Sequence, residues 1–113
     1  LDGDYLRTFG EEFFTSPSEF AITGNLMIVA ELEARLAILD LEDSLVRYLF
    51  PDDLAAKSEG WPNEISDSGD IKRPSRLGPE RFNSPHGITV DESGNIYVAE
   101  WLIGGRFTKL VLN

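Results

Sequence analysis

At 113 residues, 42% of them hydrophobic, the chain has the size and apolar content of one ordinary domain with a real core. Twenty acidic against ten basic residues leave a formal charge of −10, a field that repels a phosphate backbone and argues against nucleic acid as a partner. No cysteine is present, which excludes a disulfide framework and a thiolate metal site, and no apolar run approaches the ~18 residues of a membrane span.

In chain order, residues 4–9 after Asp2-Gly3 read as a strand leaving a tight turn. Short strands follow at 19–22, 26–31, 35–39 and 45–49, with Gly24-Asn25 turning the chain between the first two. Glu31 to Phe50 is ambiguous taken alone: it is rich in Leu, Glu and Ala, and Leu41, Leu45, Val46 and Leu49 fit a helical face. Residues 51–81, with Pro51, Pro62, Pro74 and Pro79, read as a long loop with little regular structure. Asp52 to Lys57 suits one helical turn with an acidic start. Trp61 and Ile65 suggest that the loop packs onto something, as a partly ordered lid. Lys72, Arg73, Arg76 and Arg81 concentrate in the same stretch and read as a solvated loop. Strands resume at 87–90, 95–100 and 106–112, with Asp91-Glu92-Ser93-Gly94-Asn95 as a hairpin turn.

An internal repeat organises these elements. Phe14-Thr15-Ser16-Pro17-Ser18-Glu19-Phe20 returns as Phe82-Asn83-Ser84-Pro85-His86-Gly87-Ile88. Each copy then has a Gly-Asn turn, a Val-Ala-Glu ending (Glu31, Glu100) and an arginine opening the next apolar strand (Arg35, Arg106). The copy of the ambiguous segment, Tyr97 to Asn113, carries Val, Tyr, Trp, Ile, Phe and Gly104-Gly105, which is strand and turn chemistry. The repeat therefore decides for strand in both copies.

The stretch Ser84-Pro85-His86-Gly87-Ile88-Thr89-Val90-Asp91-Glu92-Ser93-Gly94-Asn95-Ile96-Tyr97-Val98-Ala99-Glu100 resembles an NHL repeat. Glu31 and Glu100 stand where that family usually has aspartate. The resemblance implies an all-β fold: part of a six-bladed β-propeller made of four-stranded antiparallel blades. A blade takes ~40–50 residues. The expected organisation is thus an outer strand of a preceding blade at 1–10, one NHL-like blade at 14–50, an insertion loop at 51–81, and three strands of the next blade at 82–113. The remaining blades of the ring, or further copies of the chain, would cover the exposed blade faces.

Strand alternation puts the connection into the innermost strand at the same end as the connection between the second and third strands. That loop-rich end should gather Ser18, Glu31, Trp61, His86, Glu100, Trp101 and Arg106. His86, the only histidine, opens an innermost strand, where an imidazole can face the channel. Peptidyl-hydroxyglycine amidating lyases are similar here through a Pro-His pair whose histidine is one of three zinc ligands. By that resemblance His86 would bind zinc with ligands from outside this chain, while the first copy offers Ser18. Otherwise His86 is a hydrogen-bonded turn residue. Glu31 and Glu100 are expected to fix neighbouring backbone, Arg35 and Arg106 to pair with acids between blades, and Trp101 to cover a blade edge. Two functions stay open: a scaffold binding a protein or small ligand at the loop-rich end, and a zinc-dependent lyase or hydrolase. Substrate and compartment are not specified by the sequence.

Overall fold

The computed structural model describes residues 2–111; Leu1, Leu112 and Asn113, at the ends of two expected strands, lie outside the described residues. The fold is an all-β partial propeller. The first blade is β1 (Pro17–Thr23), β2 (Leu26–Glu31), β3 (Arg35–Leu39) and β4 (Leu45–Leu49), antiparallel in sequential order. A two-stranded hairpin, β5 (Glu64–Ile65) and β6 (Ile71–Lys72), lies between the blades in sequence. The second blade contributes β7 (Pro85–Val90), β8 (Ile96–Glu100) and β9 (Arg106–Leu110). No helix is formed among the described residues, and none is long and apolar enough to cross a membrane.

The period of two decides what each blade buries. Ile28, Ala30, Leu36 and Ile38 turn one face of the first blade onto Ile88, Ile96 and Val98 of the second, with Phe82 in the same cluster. The alternate positions Val29, Ala37 and Leu39 form a second cluster on the far face, packed by Phe13, Phe14 and Tyr48. One core therefore sits between the blades and a smaller one outside the first. Phe20 and Ile22 on the first blade, and Phe107 on the second, are left exposed.

The turns follow their chemistry. In the β7–β8 connection the Asp91 carboxylate accepts the N–H groups of Ser93 and Asn95 at 3.0 and 2.9 Å, and Gly94 takes φ 81°. The β3–β4 turn repeats the device: Asp40 accepts from Glu42 and Ser44. The ambiguous 31–50 segment is two strands, as the repeat requires.

Three expectations change. Residues 4–9 form no strand, because no described segment offers them a ladder; Arg7 instead pairs with Asp43 of the β3–β4 turn. Asp52 caps a run of tight turns rather than a helix, accepting from Leu54 and Ala55 through its carboxylate. The 51–81 loop is more ordered than its composition suggests, since it contains the β5–β6 hairpin closed by the Ser66–Asp70 turn.

Candidate functional site

Two matched clasps build the loop-rich end. In the first blade the buried Glu31 carboxylate accepts the Thr15 N–H at 2.6 Å and the Arg35 Nε at 2.6 Å, while Arg35 also donates to the Phe13 carbonyl. In the second, Glu100 accepts the N–H groups of Asn83 (2.5 Å) and Ser84 (3.1 Å) and pairs with Arg106. Arg106 donates in turn to the carbonyls of Gly78 and Arg81. Each acid thus fixes the chain as it enters the innermost strand of its own blade. The arginines pair within their blades, not between them as expected, because Glu and Arg face each other across the β2–β3 and β8–β9 ladders.

The innermost strands share a second feature. The β1–β2 register slips between Pro17 and Glu19, and the β7–β8 register slips between Pro85 and Gly87. Ser18 and His86 are the extra residues of these equivalent bulges, a device that re-aims a side chain at a strand end. The two residues are also neighbours: the Ser18 hydroxyl lies 2.9 Å from the His86 carbonyl oxygen and 3.0 Å from that of Ala30.

His86 is exposed, with its ring centroid 6.3 Å from that of Trp101 at a 52° tilt. Trp101 is 60% exposed. Its backbone is held at both ends: the N–H donates to Ser84 O at 2.9 Å, and the carbonyl accepts the Ser84 hydroxyl at 2.7 Å. A large aromatic side chain therefore stands in solvent on a fixed base.

The 51–81 segment lies on this same end. Trp61 Nε1 donates to Asn83 O at 2.8 Å, and the Asn83 side-chain amide donates to Pro62 O. Asn63 and Arg73 reach the β8–β9 turn at Ile103 and Gly105. The basic run is not simply solvated: Lys72 pairs with Glu64 at 3.0 Å, and Arg76 donates to Ala55 O and to Asn83. The Ser75 N–H and hydroxyl, with Lys72, hold the Glu64 carboxyl at a pKa of about 2, well below the usual range.

Three expected residues, Ser18, His86 and Trp101, come together at the mouth of the innermost strands. Trp61, Glu100 and Arg106 support the segment just beneath, and Glu31 does the same for the first blade. The sequence gives Arg73 no part at this end beyond its place in the basic run, and Asn83 and Ser84 carry no signal but their position beside the Pro-x-Gly start. Among the described residues no group of three His, Cys, Asp or Glu side chains is placed to hold a metal ion. This chain supplies one imidazole, which does not by itself fit a zinc centre. The exposed His86–Trp101 pair on its polar supports is thus the built feature of this end.

An NHL repeat matches residues 82–101, the stretch from Phe82 through Trp101 that holds β7, β8 and the His86 bulge. No curated protein matches the chain, and no solved structure does.

Proposed function

We propose that the chain is part of an NHL-type propeller that serves as a binding scaffold, presenting its loop-rich end to a protein or small-molecule ligand. The observation that carries this reading is Trp101, exposed beside His86 on a backbone fixed by Ser84. An aromatic anchor whose base is already ordered loses little conformational entropy on binding. The exposed Phe20, Ile22 and Phe107 on the outward blade faces suit a different role, contact with further blades of the ring or with further copies of the chain. The test is photo-crosslinking in the cells that make the protein, from position 101 and from position 42 on the β3–β4 turn at the opposite end. A discrete adduct from 101 alone is expected. Adducts from neither position, or equally from both, would remove the assignment of the binding face.

The bulge at His86 favours a second reading, in which His86 is one zinc ligand of a lyase or hydrolase centre in the channel and the other ligands come from outside this chain. Zinc content of the full protein separates the two. His86→Ala lowers bound zinc under the second reading, and an unchanged stoichiometry rules it out.

A further inference from the structure

The β5–β6 hairpin is fastened to the second blade by polar contacts to a single turn. Arg73 Nη1 donates to the carbonyl oxygens of Ile103 (2.7 Å) and Gly105 (2.8 Å). Asn63 Oδ1 accepts the Ile103 N–H at 2.7 Å. Of the apolar side chains of the hairpin, Ile71 is 66% exposed, and Ile65 lies against Gly60 of its own loop.

The turn is shaped around the guanidinium. Gly104 adopts φ 77°, and a Cβ there would stand 2.8 Å from Arg73 Nη1. Both flanks of the hairpin are anchored more deeply. On one side Trp61 and Pro62 engage Asn83, whose N–H is held by buried Glu100; on the other, Arg76 donates to Asn83 and Ala55. Between them, Pro74 is the only buried residue of the stretch 63–75, and nine of its thirteen residues are exposed. A segment of that kind opens at a lower free energy than the core on which it lies.

We propose that residues 63–75 form a strap that opens as a unit, with Arg73 as its latch on the Gly104-Gly105 turn. Resting on the reading of the loop-rich end as a binding face, Arg73 is then a positioning residue: it holds the turn that follows Trp101, and its release frees that turn.

Amide hydrogen exchange in the intact protein tests this directly, because the Ile103 N–H has the Asn63 side chain as its acceptor and so reports strap docking. Val98 of β8, fully buried, reports the blade. In Arg73→Ala, Ile103 exchange should rise at least tenfold while Val98 exchange stays unchanged. Gly104→Ala, which displaces the same guanidinium from the turn side, should give the same pattern. An unchanged Ile103 rate in Arg73→Ala overturns the latch. Ile103 and Val98 accelerating together in both variants overturns the strap as a separate unit. Neither result depends on a ligand, so the latch and the binding face fail or stand separately.

Discussion

The Glu19 carboxylate on the innermost strand of the first blade accepts the backbone N–H of Ile88, 2.8 Å away on the innermost strand of the second. Glu19 occupies the position that Gly87 holds in the next copy of the repeat, and its Oε2 lies 3.4 Å from where a Gly87 Cβ would stand. β7 has a strand, β8, on one side only, so its inner edge keeps N–H groups that need an acceptor. The carboxylate of one blade supplies one to the next.

Replacing Glu19 by alanine removes that acceptor and leaves the Ile88 N–H unpaired between the blades. A loss of about 1–2 kcal/mol is expected. Glu19→Gln keeps an acceptor oxygen and should lose less than half as much. Urea denaturation of both variants measures this. Equal stability of Glu19→Ala and wild type would show that the bond contributes nothing to the junction.

The Glu100–Arg106 clasp predicts a larger effect. Glu100 is buried, and it serves two backbone N–H groups as well as the guanidinium. Removing the acid strands a partly buried arginine, a change that costs about 3 kcal/mol in comparable pairs. Arg106→Met alone leaves the carboxylate with its two N–H donors and should cost less. The double variant Glu100→Gln with Arg106→Met should fall short of the sum, because each single change already breaks the pair. Additivity within error would mean that the two residues act independently.

The strands were legible because two copies could be read against each other. Glu31 to Phe50 alone looks as helical as extended, and only Gly104-Gly105 and the β-branched and aromatic residues of its copy decide it. The Glu–Arg clasps were legible as paired positions, since Glu31 and Glu100 recur before Arg35 and Arg106. Their direction was not: whether an arginine crosses to the next blade depends on strand register. The content of 51–81 was hidden for another reason. β5 and β6 are two residues each, too short for alternation to show, and Arg73 acts on backbone carbonyls 30 and 32 residues away. Residues 4–9 show the converse. Their place after the Asp2-Gly3 turn suits a strand, but a strand exists only where a neighbour supplies the ladder.

Within the strap, Glu64 makes a pH prediction. Its carboxyl is held down to about 2 by the Ser75 N–H and hydroxyl and by Lys72, against 4.5 for the free group. A depressed carboxylate pKa stabilises the folded arrangement above the unfolded value and loses that contribution as pH falls through the folded one. The Glu64–Ser75 contact should therefore persist at pH 4 and loosen only as the pH falls toward about 2. The Ser75 amide resonance, followed by NMR on acidification, should titrate with a midpoint near 2. A midpoint at the free-carboxyl value would mean that the Ser75 contacts do not form in solution.

The repeat itself supplies the last prediction. Gly105 stands 71 residues after Ala34, the offset at which Arg106 follows Arg35, and both are left-handed: φ 58° at Gly105 and 63° at Ala34. An alanine is thus already accommodated in this conformation one blade earlier. Nothing lies within 4 Å of a Cβ built at Gly105, so Gly105→Ala pays only the backbone cost, about 1 kcal/mol. Gly104→Ala pays a similar backbone cost and also meets Arg73 at 2.8 Å. Urea denaturation should rank Gly105→Ala as the milder change, with Ile103 amide exchange disturbed in Gly104→Ala only. If Gly105→Ala proved the more damaging, the equivalence of the two turns would not hold, because the difference between them would then lie in the backbone and not in the seat of the guanidinium.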